Sequence, residues 1–326
     1  MHPFRTCRGR SRTIEYAAGA LLLAIVCLSL PEAPAQSSAP AYLIQNFPVG
    51  PHPWGLAFDG ANVWVTNLDN ENITKVRASD GVILGVYPNG GSGYNAAFDG
   101  ENIWVTNSFN RSVTKIRASD GVLLGTFILQ YYPTDIIFDG TSIWVTTQED
   151  DDLGAYPRLY KLRPSDGAIL FWISVFDVPG SLTFDGENIW VSTVERDNKL
   201  KEYRASDGAF IGEFIVGRYV SALAFDGRNI WMANSDDDTV SKLRVSNGQI
   251  RRFPVGQQPY EMAYGGGYIW VTNSSDNTLL KLRIRDGQIE QTYTTQSFPT
   301  GVLFDGTNVW VANFYSGTLS KLSHGP

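Results

Sequence analysis

The chain has 326 residues with 17 Phe, 9 Trp and 15 Tyr, and a formal net charge of −7. That aromatic content excludes a disordered chain, and an acidic balance with no basic block leaves no footprint for a nucleic-acid partner. Its two cysteines, Cys7 and Cys27, fall in the first 35 residues, so the remainder has no disulfide framework, zinc–thiolate site or thiol nucleophile.

The first element in chain order reads as an export signal. Arg5, Arg8, Arg10 and Arg12 form a positive start, and Ala17 to Leu30 is an uncharged apolar run. Ala33-Pro34-Ala35 then places small residues ahead of Gln36. The run is short for a membrane span; left uncleaved, it is the one membrane attachment the sequence offers. The expected organisation is a signal peptide over 1–35, a short linker over 36–41 and a single domain over 42–326. That domain is expected to be a monomer that is periplasmic, on the cell surface or secreted, in the bacterial manner. Removing residues 1–35 takes away four Arg and two Glu, leaving 22 basic against 31 acidic residues, a net −9.

Seven copies of one phrase follow. Trp64, Trp104, Trp144, Trp190, Trp231, Trp270 and Trp310 recur at spacings of 40, 40, 46, 41, 39 and 40 residues. Five residues before each Trp lies the middle of a Phe-Asp-Gly turn: Asp59, Asp99, Asp139, Asp185, Asp226 and Asp305, with Gly265 in the sixth copy. A fixed offset in every copy means one rigid hairpin built seven times. The second copy spells the unit as Asn95 to Gly100, Asn102 to Asn107, Ser112 to Arg117 and Val122 to Phe127. These are short runs rich in Val, Ile, Thr, Trp and Phe, bounded by Asp-Gly, Asn or Gly turns, which predicts strands joined by hairpins.

Four strands in each of seven units predict an all-β, seven-bladed β-propeller. Stacked blades bury both faces of their inner strands, which explains a Trp that no isolated sheet covers. Burying one such ring is worth about 4–6 kcal/mol gross. The last copy holds only three strands, while Tyr42 to Gly50 matches the fourth strand of a unit. The N-terminal strand is therefore expected to pair with the C-terminal three and close the ring, removing exposed sheet edges.

The phrases Trp64-Val-Thr-Asn67, Trp104-Val-Thr-Asn107 and Trp270-Val-Thr-Asn273 resemble the YVTN-type repeat of extracytoplasmic bacterial propellers, with Trp in place of Tyr. The lead-in Pro53-Trp-Gly-Leu-Ala-Phe-Asp-Gly60 is similar to NHL-type repeats and to the streptogramin (virginiamycin B) lyase propellers. The resemblance spans residues 42–322 and implies the propeller skeleton, not an activity. Likeness to the lyase implies an active-site histidine on a late blade, an acidic partner and a divalent cation. No histidine occurs between His52 and His324, which counts against that chemistry and leaves His52 as the one catalytic candidate.

Function is more readily written where the blades differ. By resemblance to other propellers, the Phe-Asp-Gly strand is innermost, so the loops leading into it share a face with the loops after Trp-Val-Thr-Asn. Three departures fall on that face. An insertion lies within 148–158, with four consecutive acids. The column three residues before each turn's Phe or Tyr reads Gly55, Asn95, Asp135, Ser181, Ala222, Glu261, Gly301. Asn95, Asp135 and Glu261 are oxygen donors of the kind that suits Ca²⁺ or Mg²⁺. The lead-in loops carry Trp54, Tyr94, Tyr131, Tyr132, Tyr219, Tyr260 and Phe298, ring surfaces for a ligand. Lys-x-Arg pairs such as Lys75-x-Arg77 and Lys242-x-Arg244 are expected to pair with carboxylates across strands.

The sequence thus predicts an exported binding or interaction scaffold using the face that carries the 148–158 loop. Its partner would be an extracytoplasmic protein, peptide, carbohydrate or small molecule. The alternative is a metal-dependent lyase or lactonase at the channel mouth, with Asn95, Asp135 and Glu261 around the ion and His52 or a carboxylate as base.

Overall fold

The computed structural model describes residues 42–148, 156–175, 177–194 and 198–324. The expected signal and linker, and most of the 148–158 loop, lie outside the described residues. Within them the chain forms seven four-stranded antiparallel sheets and one short 3-10 turn at Ser235–Asp237. The first blade shows the plan: Pro53–Phe58 innermost, then Asn62–Asn67, Asn72–Arg77 and Ile83–Pro88. The seventh blade is a composite. Pro299–Phe304, Val309–Asn313 and Thr318–His324 are joined by Tyr42–Pro48, paired in register from Tyr42↔His324 to Pro48↔Thr318. The ring is closed by the first strand, as the stagger of the repeats predicts.

The Phe-Asp-Gly turn works because one carboxylate serves several donors. Asp59 accepts the N–H groups of Ala61 (2.9 Å) and Asn62 (2.7 Å), which fixes the hairpin, and the Trp64 indole N–H (2.8 Å). A buried indole thereby has its polar atom satisfied. The same indole bond, at 2.7–2.8 Å, recurs in blades two, three, four, five and seven. In blade six the Gly265 carbonyl takes the Trp270 N–H at 3.2 Å. Each Trp packs into the next blade: Trp64 lies with Ala96, Ile103 and Val105, and Trp190 with Val220, Leu223 and Ile230.

Lys281 makes the expected cross-strand ion pair, with Glu290 at 2.8 Å, but the other Lys-x-Arg lysines behave differently. In Lys75, Lys115, Lys161 and Lys242 the ammonium lies over its own blade's Trp and donates to a main-chain carbonyl of the next blade. Lys75 sits 5.0 Å from the Trp64 ring and reaches Ala118 O at 2.6 Å; Lys161 repeats this with Trp144 (5.0 Å) and Ala205 O (2.6 Å). The arginine instead turns back to an aspartate three residues on, as in Arg77–Asp80 at 2.9 Å. These four lysines therefore link blades, and the arginines hold turns.

Candidate functional site

The channel is built at a bulge. Pairing between the two inner strands skips register between Pro53 and Leu56, Gly93 and Ala96, Pro133 and Ile136, Pro179 and Leu182, Pro259 and Met262, and Pro299 and Val302. A bulge leaves a residue outside the ladder and re-aims its side chain. The freed N–H is taken by the Thr or Ser of the adjacent strand. Gly55 N–H donates to Thr66 Oγ1 (2.8 Å), Asn95 to Thr106 (2.9 Å), Asp135 to Thr146 (3.2 Å), Ser181 to Ser192 (2.8 Å) and Glu261 to Thr272 (3.0 Å). The threonine of the repeated Trp-Val-Thr-Asn phrase is thus the support of the channel-facing column. In blade five Ala233 replaces it; there Ala222 joins the ladder and is buried, and Ser221 faces the channel hollow instead.

Two connected hollows, of about 160 and 80 Å³, share Trp54, Asn95, Asp135, Ser181, Tyr260 and Glu261 as walls. Asp135, 8% exposed, is their most constrained group. Its Oδ1 accepts Asn95 Nδ2–H (2.5 Å) and Ile136 N–H (2.8 Å), and its Oδ2 accepts Ser181 Oγ–H (2.9 Å) and Leu182 N–H (2.7 Å). Four donors from three blades fill the four lone-pair sites of a carboxylate. Burial still raises its pKa against these bonds. Asn95 reaches over the glycine of the preceding blade, where a Cβ on Gly55 would lie 2.6 Å from Asn95 Oδ1.

Glu261 stands in contrast. It keeps part of its surface open to the channel, and among the described residues its carboxylate accepts only the Met262 N–H, at 2.9 Å. Burial first, and the negative charge of Asp135 second, push its pKa up to about 8. The channel therefore sets the four-donor Asp135 carboxyl group beside a Glu261 whose proton is retained toward pH 8.

These residues do not fit a Ca²⁺ or Mg²⁺ centre. The Asp135 oxygens are committed to four donors, and Asn95 is one of them. Among the described residues no group of three His, Cys, Asp or Glu side chains is placed to hold a metal ion. The expected Asn95, Asp135 and Glu261 do share one channel, but as a hydrogen-bonded pair beside a neutral acid.

Above the channel the rings converge. Trp54 packs on Tyr94 (4.7 Å between centroids), Tyr260 (5.6 Å) and Phe314 (5.3 Å). Phe298 joins Tyr260 (6.3 Å), Phe314 (6.0 Å) and Tyr315 (5.1 Å). Tyr94 and Tyr260 are hydrogen-bonded through their hydroxyls, and burial pushes the Tyr94 phenol up to about 12. Tyr219, 44% exposed, borders the upper hollow. His52 stacks on Phe314 at 4.2 Å, with Nδ1 against the Asp69 carboxylate, at the edge of this platform.

Tyr131 and Tyr132 are not brought there. Tyr131 is fully buried, with the Arg158 guanidinium 5.0 Å above its ring, and Tyr132 is held by Arg111, which stacks on it (4.7 Å) and donates to its hydroxyl (3.0 Å). In their place the structure adds Phe314 and Tyr315. Their signal was present: Phe-Tyr follows Trp-Val-Ala-Asn in the last copy, where the first two copies have Leu-Asp and Ser-Phe.

No protein-family model matches the chain, and no curated relative does. Solved structures do. One titled as a streptogramin B lyase structure aligns with a TM-score of 0.73 at 20% identity, over 87% of this chain and 98% of that one. Hydrazine synthase of Kuenenia stuttgartiensis aligns with a TM-score of 0.74 at 16% identity, over 84% and 96%. The fold is thus a seven-bladed propeller, similar in skeleton to both structures. At these identities the likeness extends to the skeleton alone.

Proposed function

We propose that this is an exported propeller whose work is binding, and that its ligand docks on the aromatic platform over the channel mouth. The observation that carries this reading is the platform itself: rings from blades one, two, six and seven meet over a polar hollow. Such a surface suits a ligand with an apolar or sugar-like face and a hydrogen-bonding tip that reaches Asn95 and Glu261. A peptide, a carbohydrate or a small molecule outside the cytoplasm has that chemistry. Export rests on the arginine-rich start, the apolar run and Ala33-Pro34-Ala35.

The test is a glycan and peptide array, followed by tryptophan-fluorescence titration of each hit. Trp54→Ala and Tyr260→Ala are expected to weaken binding by about tenfold or more while leaving the thermal unfolding of the blades nearly unchanged. Hits whose affinity ignores both substitutions would move the binding surface elsewhere.

One observation favours a second reading, a lyase or lactonase: Glu261 faces the channel hollow with its pKa pushed up to about 8, beside the Asp135 carboxyl group. Turnover in a lactone and depsipeptide screen, lost in Glu261→Gln with binding retained, would establish it.

A further inference from the structure

The face opposite the channel mouth carries the turns between third and fourth strands. In five blades that turn clamps an arginine to an aspartate: Arg77–Asp80, Arg117–Asp120, Arg163–Asp166 and Arg204–Asp207 at 2.9 Å, and Arg283–Asp286 at 3.3 Å. Blade five, whose outer strands are Thr239–Arg244 and Gln249–Pro254, breaks the pattern. Asn247 stands where the aspartate belongs. Its Oδ1 accepts the Gln249 N–H at 3.1 Å, the bond that Asp80 makes to Val82 at 3.1 Å. The substitution keeps the turn and deletes only the charge. Among the described residues Arg244 has no ion-pair partner.

Three more departures add positive charge at the same place. Arg251 lies directly opposite Lys242 in the ladder, where blades one, two and six put Gly85, Gly125 and Gln291 opposite their lysines. Like charges in register destabilise a sheet. Arg285 occupies the turn position held by Ser79, Ser119 and Ser246 in other blades, and shares Asp286 (3.1 Å) with Arg283. Arg228 stands where blades two and four have Glu101 and Glu187.

These side chains meet between blades five and six. A hollow there is walled by Lys242, Arg244, Arg251 and Arg285 with Asn229 and Gln249, and no carboxylate lines it. It opens into a groove of about 960 Å³, with Arg228 alongside and Asp185, Glu187 and Asp226 along the groove's lining. Asp226 is already engaged by the Trp231 indole (2.7 Å) and the Asn229 amide (2.9 Å). Burial holds the Lys242 ammonium below its ordinary pKa; the charges of Asp226 and Asp286 act against burial, and those of Arg244 and Arg251 act with it. Repeats that break a local rule without a stabilising gain point to function.

We propose that Lys242, Arg244, Arg251 and Arg285 form a phosphate-binding site between blades five and six, on the face away from the channel. Guanidinium forks match phosphate oxygens two at a time, and a doubly charged group answers three arginines and a lysine better than one carboxylate does. The phosphate comes either from a soluble ester or polyphosphate, or from a lipid headgroup.

The purified protein is titrated calorimetrically with sodium triphosphate at low and at physiological salt, and tested by sedimentation with phosphatidylglycerol-containing vesicles against pure phosphatidylcholine vesicles. Binding to triphosphate that weakens steeply with salt supports the site with a soluble source. Binding to the anionic vesicles alone supports it with a headgroup source. Asn247→Asp and Arg251→Gly restore what other blades carry; each is expected to weaken binding about tenfold without lowering the melting temperature. No binding to either probe at low salt would overturn the proposal. So would binding unchanged in both variants.

Discussion

The two ends of each innermost strand follow different rules. At the hairpin end, six blades place an aspartate against a tryptophan indole at 2.7–2.8 Å. At the bulge end, a few residues upstream, the seven blades carry Gly55, Asn95, Asp135, Ser181, Ala222, Glu261 and Gly301. The hairpin end is uniform because one carboxylate closes the turn and satisfies a buried indole, and no other side chain does both. In five blades the N–H at the bulge end is taken by a hydroxyl on the neighbouring strand. Its own side chain is left free to vary, so a channel lining can diversify at little cost to the ring.

The sharpest break is at the seam. Deleting residues 36–50 removes the strand Tyr42–Pro48 and leaves Thr318–His324 as a bare edge. We expect a large loss of stability with association visible by light scattering; a monomer that melts like the parent would remove closure from the account. Next comes Trp190→Ala at the uniform end, which leaves a cavity between two blades and is expected to cost about 3–5 kcal/mol by denaturant unfolding. An unchanged midpoint would mean that the ring does not depend on its indoles.

Gly265→Asp is a finer test, because it restores the common residue in blade six. A Cβ there would sit 2.2 Å from the Phe304 ring of the next blade. The consensus residue should therefore destabilise, by about 1–3 kcal/mol. Stabilisation would show that the indole bond outweighs the clash.

The smallest effect belongs to the variable end and depends on pH. Glu261 holds its proton in the folded protein up to about pH 8 but has an ordinary value of 4.5 when unfolded. Between those values the native state binds more protons than the unfolded state, so stability falls as pH rises. Glu261→Gln cannot ionise. Its melting temperature should gain on the parent from pH 5 to pH 9, and a constant difference would place Glu261 in a more solvated setting.

The uniform end was legible because repetition exposes it: seven tryptophans at a fixed offset state the hairpin, the blade count and the stagger that closes the ring. The channel column was legible as a place where copies differ. What each member does was not. Asp135 reads as a ligand on paper, yet Ser181 and the Leu182 amide of the neighbouring blade occupy it, and only the geometry of adjacent bulges brings them within 3 Å. Tyr131 and Tyr132 illustrate the same limit. Neighbouring tyrosines on a lead-in loop look exposed, but Arg158 and Arg111, each more than 20 residues away in sequence, draw them away from the mouth.

The seam also sets a clock. Ser320 Oγ donates to Asn46 Oδ1 at 2.6 Å across 274 residues of intervening chain. Six blades are contiguous in sequence and can form as they are made, but the seventh cannot take up its fourth strand, Tyr42–Pro48, until Thr318–His324 exists. The ring is therefore latched only once residues 318–324 have been made. Until then Tyr42–Pro48 waits unpaired at one end and the newest blade is open at the other. Bringing such remote ends together costs little more than a loop half as long, about 0.6 kcal/mol per doubling. The burden of this design falls on the timing of its assembly rather than on the stability of the finished ring.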